Sequence, residues 1–373
     1  MKFSISKKSF GHYVQYLTQI VPQKSTMQIT SSILLECNAD TNKVTIVTTD
    51  LNITAIVTVD ANVIESGSIC IPSKNFSDII QALPDSMIQF EIVNDKLKVI
   101  CEKSNFNLNF IDSSLFPIVP EYESGTKISF DRKVFATLVN NTSFATGVDA
   151  ANPMYSGIYC NISSTEQIMA ATDSKRIAEA KYISEMDIEE PIEFVIPVKS
   201  LIFLEKFFAN DDSEITMIDD ATKVVLQYKN VVIISNKYAG KYPIYTVVFK
   251  KEHEHTLMLD KTLLRDATRR VALLNTDEER SIVKLSINKD EVTLEAISSE
   301  FGAGREVIDS FSFDGEPIVI GLNSKFLMSF LNVIESDDVI FKIGKATEPV
   351  WVLNNSDDET ILIRFVVMPL RLE

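Results

Sequence analysis

One eight-residue pattern occurs three times along the chain, as FSISKKSF at residues 3–10, ISFDRKVF at 128–135 and LMLDKTLL at 257–264. In each copy apolar and polar side chains first alternate as in a β-strand, and the apolar positions then take the spacing of an amphipathic helix. The copies lie 125 and 129 residues apart. A period of this length predicts a chain built from three copies of one structural unit.

A second pattern recurs in the same register, as IPSKNF at 71–76, IPVKSL at 196–201 and GLNSKF at 321–326, with both intervals equal to 125 residues. Each copy opens with a proline or a polar cap and continues as a short amphipathic helix. An acidic turn follows each helix, at Asp85, at 211–212 and at 337–338, and leads into an alternating strand. Two independent sequence patterns that recur with nearly the same spacing predict that one structural unit is truly repeated three times.

The predicted fold class is α+β, with three repeated domains that each pack about two helices on antiparallel sheets. Alternating segments such as 43–47 and 281–287 supply further strands between the helices. Glycine-containing and charged loops separate the copies near Gly125 and near residues 250–255. The predicted domains are therefore 1–125, 126–252 and 253–373.

The composition is that of a well-packed globular chain. It has 373 residues, is 45% hydrophobic and contains only 11 glycines and 12 prolines, which excludes collagen-like, low-complexity and largely disordered classes. No apolar stretch reaches the roughly 18 residues that span a bilayer, and the N-terminus lacks the apolar block of a signal peptide. We therefore expect a soluble, cytoplasmic protein with no membrane partner.

The four cysteines, Cys37, Cys70, Cys101 and Cys160, are scattered along the chain and include no C-x-x-C pair. This spacing predicts neither a disulfide framework nor a zinc site. We expect reduced, buried thiols, no bound metal and no cofactor.

The net charge of −16 is unevenly distributed. Residues 1–24 contain four lysines and no acidic residue, residues 260–275 contain four basic residues against two acidic ones, and residues 131–147 are also net basic. The first helix of each repeat is thus basic on an otherwise acidic chain. One such helix alone is typical of a solvated face, but three equivalent ones predict a shared surface for phosphates. No base-reading module appears, so contacts with DNA would go to the backbone and be independent of sequence.

The first helix of the third repeat has the clearest basic face. Lys261, Arg265 and Arg269 are spaced by four residues, which aligns them along one side. The apolar residues predicted for the opposite side are Leu263, Leu264, Ala267 and Val271.

Catalytic signatures are missing from the sequence. There is no G-x-x-x-x-G-K-[ST], no G-x-G-x-x-G after a strand and no G-x-S-x-G. The stretch His253-Glu254-His255 is the one arrangement that resembles a metal site, and its charged surroundings favour a solvated linker between domains. The sequence therefore predicts a protein that is not an enzyme.

Four short sequences accompany the repeats: MKF at 1–3, ATDSKRIA at 171–178, GKYPIY at 240–245 and VVMPLRL at 366–372. In combination they resemble the bacterial DNA polymerase beta sliding clamp family, and the resemblance covers the whole chain. It implies a head-to-tail homodimer in which six similar domains close a ring, with inner helices facing duplex DNA and sheets outside. It also implies a processivity factor that tethers the replicative DNA polymerase and other replication and repair proteins, and that works with a clamp loader.

The resemblance places a pocket for short apolar partner peptides between the second and third domains. The residues that it implies for this pocket are Tyr155, Gly157, Thr172, Ser174, Lys175, Arg176, Ile177, Pro243, Val248, Asn323, Phe326, Val366, Val367, Met368, Pro369, Leu370 and Arg371. Pro369 should end regular strand pairing near Met368, and Arg176 and Arg371 should supply polar contacts at the rim. The chain departs from the family pattern at three places: SKRI at 174–177 replaces the more common Gly-His-Arg-Leu, Pro153-Met154 replaces paired aromatic residues, and Glu373 follows the usual terminal leucine.

The same resemblance implies DNA contacts and a subunit interface. Lys24 and Lys199 occupy positions where the family has basic DNA contacts, and the repeat argument adds Lys7, Lys8, Arg132, Lys133, Lys261, Arg265 and Arg269. At the interface, Phe106 and Leu108 on one edge would meet Leu273 and Leu274, with Lys74 in an ion pair. Core packing is the alternative for these four apolar residues.

Two other functions remain open at the level of sequence. One is an acidic, three-repeat scaffold that binds peptides without enclosing DNA, and only the basic helices argue against it. The other is an enzyme with a cleft between repeats, although no set of acid, base and nucleophile is visible.

Overall fold

The computed structural model describes residues 1–373 except 23–27, 123, 148–151, 251–252, 275–280, 299, 357 and 373. The first third of the described chain contains β1 (Lys2–Ser6), α1 (Lys7–Leu17), β2 (Ser32–Asn38), β3 (Lys43–Thr49), β4 (Ile53–Asp60), β5 (Asn62–Glu65), β6 (Gly67–Pro72), α2 (Ser73–Ala82), β7 (Met87–Val93), β8 (Lys96–Cys101), β9 (Ser104–Leu108) and β10 (Ile111–Asp112).

The second third repeats the strand–helix order. It contains β11 (Thr126–Phe130), α3 (Arg132–Ser143), β12 (Gly157–Ile162), β13 (Glu166–Thr172), β14 (Arg176–Ile183), β15 (Ile192–Pro197), α4 (Val198–Glu205), β16 (Ile215–Asp219), β17 (Lys223–Tyr228) and β18 (Val231–Asn236).

The last third follows the same order again. It contains β19 (His255–Asp260), α5 (Lys261–Ala272), β20 (Ile282–Ile287), β21 (Val292–Ser298), β22 (Gly302–Ile308), β23 (Phe311–Asp314), β24 (Ile318–Asn323), α6 (Ser324–Val333), β25 (Asp338–Ile343), β26 (Val350–Asn354) and β27 (Ile361–Val367). The prediction of an α+β fold with two helices and antiparallel strands in each repeat is confirmed.

The chain folds into two compact units, and the second repeat contributes to both. Unit 1 comprises residues 1–132 and 199–237 and contains a sheet of order β5-β1-β7-β8-β9 and a nine-stranded sheet of order β10-β6-β2-β3-β4-β18-β17-β16-β11. Its nine-stranded sheet joins the first and second repeats, because β4 pairs with β18 in an antiparallel ladder. A sheet that continues from one repeat to the next leaves no exposed edge at the junction.

Unit 2 comprises residues 133–198 and 238–373. Its nine-stranded sheet has the order β15-β12-β13-β14-β27-β26-β25-β19-β23, and its smaller sheet has the order β22-β21-β20-β24. Here the pairing of β14 with β27 joins the second repeat to the third. The C-terminal strand therefore lies beside a strand of the second repeat.

The helices cover the sheets with their apolar faces. In unit 1, Phe10 of α1 packs edge-on against Phe76 of α2 and Phe90 of β7, with ring centroids 6.2 and 5.4 Å apart. Phe3 of β1 lies opposite Phe90 in the ladder and stacks on it at 4.6 Å. The strand–helix pattern thus places its aromatic residues in the core, where such pairs add to the free energy of burial.

Helix α5 differs from its prediction at one position. Leu264, Ala267 and Val271 are buried as expected, but Leu263 is 45% exposed, so its assignment to the buried face was wrong. Successive helical residues are about 100° apart, which puts Leu263 at the margin of the arc centred on Leu264, Ala267 and Val271.

The expectation of a solvated linker at 253–255 was also wrong. His255 belongs to β19, is buried and accepts a hydrogen bond at Nδ1 from the backbone N–H of Glu316 at 3.2 Å. The ring of His253 packs edge-on against Trp351 at 4.2 Å. Aromatic packing against β26 outweighs the charged composition of this stretch.

The four cysteines are free thiols and all are buried, as predicted. Burial raises the pKa of the Cys70 thiol to about 12, so it stays protonated at neutral pH. Among the described residues, no helix is both long and apolar enough to cross a bilayer.

Candidate functional site

Residues 172–176 form a tight turn between β13 and β14. Thr172 Oγ1 donates a hydrogen bond to the carbonyl oxygen of Arg176 at 2.7 Å. Asp173 Oδ1 accepts hydrogen bonds from the backbone N–H groups of Lys175 and Arg176, both at 3.0 Å. Ser174 has a φ of +73°, a left-handed conformation that glycine adopts more easily. The Thr-Asp pair therefore holds the turn in a shape that a glycine at position 174 would favour.

The pairing of β14 with β27 brings this turn beside the C-terminal segment. Arg176 lies opposite Val367, and Ile177 lies opposite Val366. Beyond the ladder, the Met368 N–H donates to the carbonyl of Lys175 at 3.0 Å. Regular pairing ends at Val367, as the proline predicts, although the Met368 N–H still has a partner.

The tail then crosses to the smaller sheet of unit 2. The Leu370 N–H donates to the carbonyl of Gly321 in β24 at 2.8 Å, and a β-carbon at Gly321 would lie 2.6 Å from the Leu370 carbonyl oxygen. Glycine is therefore required for this close approach. The contact fixes the end of the chain next to the α6 N-terminus.

Met368 is the exposed apolar side chain at this end of β27. It is 42% exposed, whereas its neighbours Val366 and Val367 are buried. Pro369 and Leu370 are half-buried, and Arg371 is exposed. A flexible thioether held above buried valines is suited to packing against varied apolar partners.

Arg176, predicted to supply polar contacts at the rim of the pocket, makes several polar contacts within the chain. Its Nε pairs with Asp173 Oδ2 at 2.9 Å, and its Nη1 donates to Ser329 Oγ at 2.8 Å. The guanidinium also stacks over the rings of Phe326 and Phe144, at 4.5 and 5.6 Å from their centroids. These contacts make Arg176 a bridge from β14 to α6.

Asn323 is the cap of α6. Its Oδ1 accepts hydrogen bonds from the N–H groups of Lys325 and Phe326, at 2.9 and 3.2 Å. An asparagine in this position satisfies N–H groups that have no partner inside the helix. It therefore orients Phe326, on which Arg176 stacks.

The two faces of the β14–β27 ladder differ in what covers them. On one face Phe365 stacks on Phe330 of α6 at 4.9 Å. On the other face the Arg364 guanidinium lies 4.0 Å from the ring centroid of Phe249. Because successive residues of a strand point to opposite faces, Ile177 and Val366 share the face of Arg364.

We call residues 240–250, which cover this second face, the aromatic strap. Tyr242 stacks on Tyr159 of β12 at 5.2 Å, and Tyr245 packs edge-on against the same ring at 6.1 Å. Pro243 and Val248 of the predicted pocket belong to the strap and are half-buried. The strap thus brings them to the face that carries Thr172, Ile177 and Val366.

Gly157 begins β12, and Tyr155 lies in the short 3-10 helix just before it. A β-carbon at Gly157 would come within 2.6 Å of Val195 Cγ1, so this position tolerates only glycine. The carbonyl of Tyr155 accepts a hydrogen bond from Gly147 N–H at 2.7 Å. A β-carbon at Gly147 would also lie 3.0 Å from Asp173 Cβ, so Tyr155 lies close to the 172–176 turn.

Four residues of this region were missed by the sequence analysis: Glu179, Tyr245, Phe249 and Arg364. Glu179 is buried in β14, where its carboxylate accepts hydrogen bonds from Tyr245 Oη and from Arg364. The available signal was an acidic residue between Ala178 and Ala180, which by itself is typical of a half-exposed strand.

Six of the predicted DNA contacts lie at the starts of helices. Lys7 and Lys8 begin α1, Arg132 and Lys133 begin α3, and Lys199 is the second residue of α4. Lys261, Arg265 and Arg269 follow one side of α5. Lys24 lies outside the described residues.

Several of these basic groups already have contacts within the chain. The Lys261 ammonium donates to the carbonyls of Ile334 and Glu335 at the end of α6, at 2.9 and 3.5 Å. Lys199 pairs with Asp50 at 3.3 Å, and Arg132 Nε donates to the carbonyl of Asp211 at 3.0 Å. Lys8, Lys133 and Arg269 are exposed.

The predicted interface residues lie near two sheet edges. Phe106 and Leu108 belong to β9, the last strand of the smaller sheet of unit 1. Leu273, which follows α5, is 79% exposed, and Leu274 packs against β22, the edge of the smaller sheet of unit 2. Lys74 is exposed on α2.

Three profiles of one family match consecutive parts of the chain. They are the N-terminal domain of the DNA polymerase III beta subunit over residues 1–120, its central domain over 129–244 and its C-terminal domain over 246–371. The chain belongs to the DNA polymerase III beta subunit family. The three matches follow the same order along the chain as its three repeats.

Relatives match from end to end. The beta sliding clamp of Staphylococcus aureus is 28% identical, with 100% of this chain and 99% of that protein covered. The crystal structure of the DNA polymerase sliding clamp from Bacillus subtilis matches with a TM-score of 0.92 and 25% identity over 100% of both chains. A sliding clamp from Pseudomonas aeruginosa bound to griselimycin has a TM-score of 0.91 and 23% identity, again over 100% of both chains.

Proposed function

We propose that this chain is a DNA sliding clamp, which encircles duplex DNA without sequence specificity and tethers the replicative polymerase and other replication and repair proteins to it. The observation that carries the proposal is the end-to-end match, in sequence and in fold, to proteins named sliding clamps. The clamp performs no chemistry itself. It raises processivity because a tethered polymerase that releases the primer end remains at high local concentration.

Two copies would form the ring. The β9 edge of one copy would lie against the β22 edge of the other, because unpaired edge strands present N–H and C=O groups to a partner. Such a head-to-tail contact closes into a ring when its rotation brings the second copy back to the first. Phe106, Leu108, Leu273 and Leu274 would supply the apolar part of each contact, and Lys74 an ion pair.

The basic helices would face the DNA. Phosphate contacts are independent of base sequence, so the ring can slide, and the acidic remainder of the chain repels DNA elsewhere. Exposed Lys8 and Arg269 would contribute most, because Lys261, Lys199 and Arg132 already have partners within the chain. Lys133 is also exposed. Lys7, Lys24 and Arg265 complete the proposed set.

Partner proteins would bind at the end of β27. A short peptide with leucine and phenylalanine anchors would lie against Met368, Ile177, Val366 and the strap residues Pro243 and Val248. The clamp loader and the polymerase would both use this site. The proposed domain boundaries remain 1–125, 126–252 and 253–373, and the proposed location is the cytoplasm.

The tethering function is tested by primer extension with the cognate replicative polymerase and clamp loader, under conditions in which each polymerase binds once. The clamp should lengthen the products at least tenfold. A variant that cannot bind partner peptides should leave them short. Products of equal length with and without the clamp would contradict the proposal.

A further inference from the structure

A buried carboxylate lies beneath the aromatic strap. Glu179 of β14 is only 2% exposed and is flanked by the buried Ala178 and Ala180. Burying an ionised carboxylate is costly unless charge and hydrogen bonds compensate for the lost water. Its partners therefore indicate what the residue holds in place.

Both oxygens of Glu179 have partners from other parts of the chain. Oε1 accepts hydrogen bonds from Arg364, with Nε at 3.0 Å and Nη2 also in contact, and Arg364 lies directly opposite in β27. Oε2 accepts a hydrogen bond from Tyr245 Oη at 2.8 Å. Burial, with the nearby Glu179 charge, raises the pKa of Tyr245, so its hydroxyl remains a donor at neutral pH.

Tyr245 and Arg364 together hold the middle of the strap. The Val248 N–H donates to the carbonyl of Tyr245 at 3.2 Å. Phe249, the next residue, lies over the Arg364 guanidinium and packs against Trp351 at 5.5 Å. Val248 is thus fixed from both sides by groups that depend on Glu179.

The same contacts connect the strap to β27. Trp351 lies opposite Val366 in the β26–β27 ladder, and Glu179 is two residues from Ile177 on the same face of β14. The carboxylate therefore links the strap, which carries Pro243 and Val248, to the strand that carries Val366.

We propose that Glu179 is a positioning residue for the partner-peptide site: through Tyr245 and Arg364 it holds the strap so that Pro243 and Val248 face the peptide before it binds. This inference rests on the proposed function. Because the strap is already ordered, peptide binding does not include the entropy cost of ordering it. Loss of the Glu179 contacts therefore lowers affinity without removing any group that touches the peptide.

The test measures the affinity of a six-residue peptide with leucine and phenylalanine anchors for Glu179→Gln and Tyr245→Phe. Each variant should bind five- to tenfold more weakly than the parent protein, mainly through faster dissociation. Tyr228→Phe is the matched control, because Tyr228 is also buried and donates to a carboxylate, Asp211 Oδ1 at 3.2 Å, in unit 1. The control should lose stability but keep the parent affinity.

A double-mutant cycle with Val248→Ala separates positioning from general loosening. If Glu179 acts through the strap, the affinity losses of Glu179→Gln and Val248→Ala should be less than additive. The emission of Trp351, the single tryptophan of the chain, should also change on peptide binding in the parent protein and change less in Tyr245→Phe.

Parent affinity in both strap variants, or an equal loss in Tyr228→Phe, would overturn the inference while leaving the partner site intact. Strictly additive losses in the cycle would overturn it as well. Failure of the parent protein to bind the peptide would instead reject the proposed partner site, and the inference with it.

Discussion

Met368 combines exposure with an apolar, flexible side chain at the end of an otherwise buried strand. Its backbone is held by Lys175, so the side chain projects from a fixed point. A few such anchors usually supply most of the free energy at a peptide-binding site. Position 368 is therefore where one substitution should separate partner binding from folding.

The parent protein should bind a leucine- and phenylalanine-containing peptide with a micromolar Kd, which corresponds to a binding free energy of about −8 kcal/mol. Met368→Asp should weaken this binding at least about 100-fold. The reason is that the carboxylate would lose water on contact with apolar anchors. Calorimetric titration measures the affinity, and circular dichroism checks the fold.

The matched control is Leu362→Asp, since Leu362 is 41% exposed on the same strand but lies at its other end. It should leave the affinity unchanged. Equal affinities of Met368→Asp and the parent protein would move the partner site elsewhere.

Glu205 of α4 gives a prediction about pH. Burial raises the pKa of this carboxyl to about 7 from its usual 4.5. The folded state therefore retains a proton that the unfolded chain releases between these two values, and the free energy of unfolding should fall as the pH rises from about 5 to 8. Below pH 4.5 the carboxyl is protonated in both states, and its contribution to the free energy of unfolding is at its maximum.

Glu205→Gln should remove this pH-dependent loss and make the protein more stable than the parent at pH 8, by about 1–3 kcal/mol. Urea unfolding at pH 5, 6, 7 and 8 measures the difference. Parallel pH profiles for the parent and the variant would show that Glu205 is ionised in the folded state.

Among the elements, α5 shows how contacts change a prediction made from spacing. The sequence aligns three basic residues on one side, but Lys261 is bound to the C-terminal carbonyls of α6. The negative end of the α6 dipole stabilises a lysine ammonium at that position. Arg269 is exposed and remains available to a phosphate.

Arg269→Glu should weaken binding to duplex DNA and reduce the slope of log K against log salt by about 0.9 for one lost phosphate contact. Fluorescence anisotropy at several salt concentrations measures both quantities. Lys289→Glu makes the same charge change at an exposed turn of the same repeat and should have little effect. Equal slopes for the parent and Arg269→Glu would identify the α5 stripe as a solvated face.

The strand–helix order, the cap residues and the register between repeats were predictable because they depend on local spacing. Asn323 is an example, since it lies directly before the helix that it caps. The strap was not predictable in this way. Glu179 and Tyr245 lie 66 positions apart, and a glutamate between alanines looks solvent-facing until the strap covers it. The same holds for His253, whose environment depends on Trp351.

On the scale of the whole molecule, β9 and β22 are edge strands of the two small sheets. We propose that these edges bind a second copy of the chain. Exposed Leu273 beside the β22 edge is best explained by burial in such a contact. Bidentate pairing of Arg270 with Glu306, at 2.9 and 2.7 Å, fixes α5 against β22 and so fixes the geometry of this edge.

Leu273→Asp should convert the dimer to monomers, because an unpaired charge would be buried twice in each ring. Light scattering at low micromolar concentration measures the mass. Ile118→Asp, at an apolar residue that is 94% exposed and belongs to neither edge strand, should stay dimeric. A dimer that survives Leu273→Asp would exclude Leu273 from the interface.

Enclosure of DNA is the central claim, and retention on nicked circular DNA tests it most directly. Clamps are loaded onto labelled circles, unbound protein is removed by gel filtration at high salt, and the circles are then cut once. A closed ring that encircles the DNA cannot slide off a circle, so it should stay bound at salt concentrations that abolish phosphate contacts. It should leave within minutes of linearisation, because it can then slide off the free ends. Loss from intact circles at high salt, or equal retention on circular and linear DNA, would contradict the claim.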